Sequence, residues 1–176
     1  NPGDDEAWAK VGTFFIGRPL GRRCVSQIGG DVLILTQNGA FPLSAALQSA
    51  QIDYKYALSF NIEDTFTQAA ISYGNNFGWE GVVYPTQAAL IINIPLEEDG
   101  KHHQYVMNTT TKAWCRFKEW NAEDFAVMGG QLYFCNGTAV YKAWTGRIDG
   151  SNNIEAYAKT AFSYFNSPGQ IKHFKM

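Results

Sequence analysis

A Gly-Gly turn followed at a strand's length by an Asn-Gly turn occurs twice in this chain. The first copy has Gly29, Gly30, Asn38 and Gly39, and the second has Gly129, Gly130, Asn136 and Gly137. Such dipeptides accept positive φ at turn positions and are the strongest short-range signal for two strands folding back on each other. In the second copy, residues 132–135 meet 140–143 across Asn136 and Gly137. Another hairpin precedes it, with residues 104–108 and 113–117 flanking Thr109, Thr110, Thr111 and Lys112. The spacing within the two copies differs by two residues. An even insertion leaves strand alternation in phase, so both copies are expected to turn the same residues to the core.

The runs flanked by these turns decide the architecture. Val32, Leu33, Ile34 and Leu35 are continuously apolar, as are Leu90, Ile91 and Ile92, and a third run centres on Tyr133. Apolar continuity implies burial on both faces, as in a strand inside stacked sheets. The runs lie about 58 and 42 residues apart, and 15% aromatic against 17% charged residues suits broad packed faces. Sheets recurring every 40 to 45 residues or so are the pattern of a β-propeller, whose blades are four-stranded meanders.

The expected fold is therefore mainly β: repeated antiparallel meanders in a partial, propeller-like arrangement, a plain β-sandwich being the competing reading. Blade-like units fall at about 11–58, 78–120 and 121–165 within one β-rich domain spanning 1–176. A single amphipathic helix is inserted at about 59–74, where Ile62, Phe66, Ala69, Ala70 and Tyr73 form one stripe. Ser59 or Asn61 is placed to cap it, Glu63 and Asp64 suit its positive end, and Gly74 is placed to end it. Residues 11–16, 40–47, 155–165 and 171–174 read as further strands, and 1–10 as an acidic lead. Three to four blades are fewer than most closed rings use, and the first residue is Asn1, so a fragment of a longer chain is expected.

Reacting centres are not suggested. A net charge of −2 disfavours nucleic acid, leaving Arg18, Arg22 and Arg23 as the one basic cluster and a candidate interaction point. Cys24, Cys115 and Cys135 are odd in number and scattered, which fits neither a disulfide framework nor a zinc site. Only Cys24, after two arginines, has a cationic setting. His102 and His103 read as a solvated loop. Asp149, Ser151 and Asn153 have calcium-loop spacing, but Ile154 stands where Gly is needed and Thr160 where the bidentate Glu is needed. Glu63 with Asp64 and Glu123 with Asp124 are carboxylate pairs that nothing in the sequence brings together. Nucleophile-elbow, Walker and dinucleotide motifs are lacking. No catalytic, cofactor or metal residues are assigned, and no apolar run approaches the ~20 residues that span a bilayer. The sequons at Asn108 and Asn136 occupy hairpin turns, where Asn has backbone uses.

The strings GWEGVVYP, LIINIP, QYVMNTTTKAWCRF, WNAEDF and LYFCNGTAVY, between Trp79 and Tyr141, together resemble virion structural proteins of tailed bacteriophages and prophages. GAFPLSAAL before them and AFSYFNSPGQIKHFKM after them fit the same pattern. One departure is Lys112, where the pattern usually has Gly before Ala-Trp. The resemblance implies a neck or tail component that binds other virion proteins or further copies of itself. It would reside in the virion, and in the host cytoplasm during assembly. The competing class is a carbohydrate-binding or carbohydrate-active propeller with Trp and Tyr at its loop tips. The positions of Trp79, Trp114, Trp120 and Trp144 discriminate the two.

Overall fold

A computed structural model describes residues 13–48, 53–97, 100–137, 139–149, 151–159, 169 and 171. The chain divides into two units, Asn1–Ala143 and Trp144–Met176. In the first, β1 (Val25–Ile28), β2 (Asp31–Thr36) and β3 (Gly39–Pro42) form an antiparallel sheet in chain order. A four-stranded antiparallel sheet follows, made of β4 (Glu80–Tyr84), β5 (Ala89–Pro95), β6 (His102–Asn108) and β7 (Trp114–Phe117). The third, again of three strands, has β8 (Asp124–Met128), β9 (Gln131–Asn136) and β10 (Ala139–Lys142). The second unit contains the hairpin of β11 (Ile148–Asp149) and β12 (Asn152–Asn153). The fold is mainly β, with three antiparallel sheets of three or four strands, as the turn pattern required.

The two three-stranded sheets share one register. Ile28 faces Asp31 across the first turn and Met128 faces Gln131. Thr36 faces Gly39 across the second, and Asn136 faces Ala139. All positions correspond at an offset of one hundred residues, with no insertion. The apparent two-residue difference arose from matching Asn38–Gly39 to Asn136–Gly137. In the structure Asn38 is the last turn residue and Gly39 begins β3, whereas Asn136 ends β9 and Gly137 begins its turn. Gly129 and Gly130 are both left-handed, at φ of 59° and 74°, as a two-residue hairpin turn demands. Gly39 is needed for a different reason: a Cβ there would stand 2.9 Å from Ser59 Oγ.

Opposite faces of the two repeats meet the middle sheet. Leu33, Leu35 and Ala40 pack with Leu20, Phe66, Trp79, Leu90, Ile92 and Met107. On the other side of β5, Ile91, Tyr84 and Val106 pack with Phe125, Leu132, Ala122 and Ala143. Alternate residues of β5 thus serve two separate cores, and every residue of the strand is buried. This is the physical cause of the Leu90, Ile91, Ile92 run, and each such side chain contributes about 1.5–3 kcal/mol. The expectation that both copies turn the same residues inward fails, because they flank a common neighbour. The first strands of the three sheets are themselves adjacent: β4 lies beside both β1 and β8, and Arg23 forms a parallel bridge with Glu80.

The remaining faces differ. In the first repeat, α1 (Leu43–Gln48) packs on β2 and β3, Tyr54 lies against Phe41, and Asp31 fixes the helix start through the Ser44 hydroxyl and amide. The strand expected over 40–47 therefore ends at Pro42. In the last repeat the outer face carries Ala126, Met128, Tyr133, Cys135 and Val140, with Met128 69% and Val140 73% exposed. The run about Tyr133 is therefore one-sided.

The inserted helix is α2 (Glu63–Tyr73), entered through a 3-10 turn at Phe60–Ile62. Its stripe packs as expected, with Phe66, Ala69 and Ala70 buried and Ile62 and Tyr73 against them. Ser59 does not cap it; its hydroxyl accepts the Ala40 amide at 3.1 Å instead. Residues 13–16 and 155–159 lack the regular structure expected of them, while 11–12, 160–165 and 172–174 lie outside the described residues.

Candidate functional site

One charged cluster sits where the three sheets converge, and its members enter the three first strands. Arg23 lies just before β1, Glu80 opens β4, and Asp124 opens β8. The Arg23 guanidinium pairs with Asp124 Oδ1 at 2.5 Å and Glu80 Oε2 at 3.5 Å, donates to the Glu123 carbonyl at 2.5 Å, and lies 5.2 Å from the Phe77 ring centre. The planar, multi-donor head of arginine suits such a junction. Glu80 is deeply set, its side chain 14% exposed. Burial first, and then the neighbouring Asp124 charge, raise its pKa to about 7, while Arg23 opposes the rise. Glu80 therefore exchanges its proton near neutral pH, between the Arg23 guanidinium and the Asp124 carboxyl group.

Beneath the cluster, an amide network ties the middle sheet to the loops entering its neighbours. The Asn93 amide donates to the carbonyls of Gly78 at 2.9 Å and Ala122 at 2.8 Å. The Gln104 amide donates to Asn93 Oδ1 at 2.9 Å and the Trp120 carbonyl at 2.7 Å. Both side chains are fully buried. His102, which lies in β6 and not in a solvated loop, is also buried, its Nδ1 lacking a partner. Burial pushes its pKa down, the Gly100 backbone and Glu123 oppose this, and Arg23 adds to it.

The other sequence candidates disperse. Arg18 donates to Asn75 Oδ1 at 3.0 Å and Arg22 is exposed, so the three arginines do not form one patch. Gly29, Gly30, Gly129, Gly130 and Gly137 sit in hairpin turns, in open space. Asn108 Oδ1 accepts the amides of Thr110 at 3.0 Å and Thr111 at 2.9 Å, a backbone role for that Asn. Lys112 is left-handed at φ 60°, the conformation glycine favours. Glu63 and Asp64 lie in the first turn of α2, and Asp124 joins Glu80 instead. Burial raises the Cys115 thiol pKa. Among the described residues no three His, Cys, Asp or Glu gather to hold a metal, and no helix is long and apolar enough to cross a membrane.

The tryptophans are scattered. Trp79 is buried in the first core, its indole donating to the Tyr73 carbonyl at 2.8 Å. Trp120 stacks on Phe134 at 5.2 Å and meets Phe117 edge-on at 5.3 Å, and Phe134 stacks on Tyr141. Trp114 lines a surface groove with Ile62, Thr65, Tyr105, Cys115 and Arg116, where no carboxylate is present. Trp144 belongs to the second unit and is 36% exposed.

Sequence reasoning missed the Arg23, Glu80 and Asp124 cluster and the Asn93 and Gln104 network. The sequence had offered Arg23 within the basic cluster and Asp124 within a carboxylate pair, but nothing joined them to each other or to Glu80, and the amides were only two polar residues inside apolar runs. Comparison with family models, with curated proteins and with solved structures finds no match.

Proposed function

We propose that the chain is a structural and interaction module of a tailed-phage virion, in the neck or tail, binding other virion proteins or further copies of itself without catalysis. The observation that carries this reading is the recurrence: two meanders of identical register packed on opposite sides of one shared sheet, whose strand β5 is buried throughout. Sheets stacked face to face, with first strands adjacent, are the arrangement of successive propeller blades, and we read these three as a propeller-like segment. Repeats of this kind build extended scaffolds whose outer faces are free to meet neighbours. The buried polar groups support the same view, since Arg23, Asn93 and Gln104 spend their hydrogen bonds on the chain's own carbonyls and carboxylates. The open apolar face of β8–β10 has the chemistry of a surface covered in an assembly. The resemblance of residues 79–141 to virion proteins suggests the class of assembly; on that reading the chain would reside in the virion and, during assembly, in the host cytoplasm. The deciding experiment is mass spectrometry of purified particles with cross-linking. The expected result is this chain cross-linked to neck or tail subunits. Particles assembled normally without it would overturn the reading.

A further inference from the structure

We propose that the outer face of the third meander, β8–β10, pairs with the same face of a second copy of this chain, about a two-fold axis running along β9. This rests on the reading of the chain as a module that binds further copies of itself. The outer face carries Ala126, Met128, Tyr133, Cys135 and Val140, and neither core of the described residues includes any of the five.

The repeat itself shows what such a face is built to meet. At the offset of one hundred residues these five correspond to Ser26, Ile28, Leu33, Leu35 and Ala40, which in the first meander share the face turned to the middle sheet. A Cβ on Gly81 of β4 would stand 3.2 Å from Ser26 Oγ and 3.3 Å from a Leu33 methyl, so that face lies directly on a neighbouring sheet. The third meander meets the middle sheet with its other face, through Phe125, Leu132 and Phe134. Its outer face therefore repeats a surface that its twin already uses for packing sheet on sheet. Sheets packed in this way stay aligned within about 30° because they share one twist, a condition that two copies of the same face meet. Of the three sheets, the middle one is flanked on both faces, and the first carries α1 and Tyr54 on its far side. The apolar sheet face that a second copy brings is thus its own β8–β10.

Charge selects the axis. Lys142 pairs with Tyr133 at one edge of the face, and Asp124 pairs with Cys135 at the other. Both are exposed, and among the described residues no carboxylate lies within 4 Å of the Lys142 ammonium. Half a turn about β9 lays β8 over β10 of the second copy, with Ala126 over Lys142 and Asp124 over Val140. The flexible Lys142 stem then reaches Asp124 across the interface, twice per pair, while Tyr133 and Cys135 lie on the axis against their own counterparts. Three strands about 4.8 Å apart and about 17 Å long make a patch of only about 250 Å² in plan, well below the roughly 800 Å² per partner of a stable interface. A single pair is therefore weak, with a dissociation constant of about 0.1 mM, and the contact gains strength where many copies are held together.

Sedimentation equilibrium of the intact chain up to about 2 mM tests this, and the expected result is a dimer and nothing larger. Val140→Asp sets a carboxylate against Asp124 of the second copy and should weaken the dimer at least about tenfold, and Lys142→Glu at least about threefold. Lys142 is exposed, so its variant keeps the test decisive should Val140→Asp fail to fold. Isotope-filtered Overhauser spectra of mixed labelled and unlabelled chain should show the Ala126 methyl touching the Lys142 side chain between copies. A monomer at every concentration, growth beyond a dimer, association that Lys142→Glu leaves unchanged, or no Ala126 to Lys142 contact between copies would each overturn the proposal. The particle experiment separates the two claims. A chain found in particles that stays monomeric in solution refutes the self-pairing face alone, whereas a chain absent from particles refutes the broader reading.

Discussion

Replacing Glu80 by Gln isolates the proton held at the sheet junction. Glu80 is protonated in the folded chain up to about pH 7, whereas an unfolded Glu has its ordinary value of 4.5. Between those values the folded state binds more protons, so stability contributed by this group is full below about pH 4.5 and is lost as pH rises towards about 7. At about 1.36 kcal/mol per pH unit the window is worth at most about 3.4 kcal/mol. Solvent reaching the exposed side of Asp124 and Arg23 reduces this to about 1–2 kcal/mol. His102 and His103 run the other way, since their lowered values make stability rise with pH up to about 6.5. The clean quantity is therefore the difference between native and E80Q chains in urea unfolding, followed by tryptophan fluorescence from pH 5 to 8. Relative to E80Q, the native chain should lose about 1–2 kcal/mol across that range, at unchanged denaturant slope. A difference that stays flat, or that grows in favour of the native chain, would refute the protonated junction and make Glu80 an ordinary ionised partner of Arg23.

Other perturbations test the packing. Ile91→Ala should cost about 3–4 kcal/mol, because β5 is covered on both faces and cannot collapse onto the space; chemical denaturation reads this. Asn93→Leu should cost about 2–4 kcal/mol by stranding the Gly78 and Ala122 carbonyls and the Gln104 amide, and a loss below about 1 kcal/mol would refute the network. Lys112→Gly should raise stability by about 0.5–1 kcal/mol, since it relieves a left-handed residue in an exposed turn; a lowered melting temperature would contradict that.

Local rules made part of this fold legible. Gly129 and Gly130 announced a hairpin because few other residues accept their backbone angles, and Leu90, Ile91 and Ile92 announced a two-sided strand because nothing polar interrupts them. The stripe from Ile62 to Tyr73 announced a helix by period alone. Where two local signals competed, the reading slipped. After Gly39 the apolar residues suggested a strand to 47, but Pro42 ends ladder bonding and Asp31 recruits Ser44 into a helix start. The equivalence of Asn38–Gly39 with Asn136–Gly137 matched residue types where the structure matches registers, but either offset is even, and it is the shared middle sheet between the repeats that makes them present opposite faces. The charged junction was not legible at all. Arg23, Glu80 and Asp124 are distant in sequence, and only the convergence of three first strands makes neighbours of them.

The central claim is that two like meanders sandwich one strand, each serving a separate core. Methyl nuclear Overhauser spectroscopy on the labelled chain tests it directly. Leu90 and Ile92 should show contacts to Leu33, Leu35 and Phe66, and Ile91 to Phe125 and Leu132, with no exchange of partners between the sets. Contacts from Ile91 to Leu33, or from Leu90 to Leu132, would contradict the stack and the recurrence on which the functional reading rests.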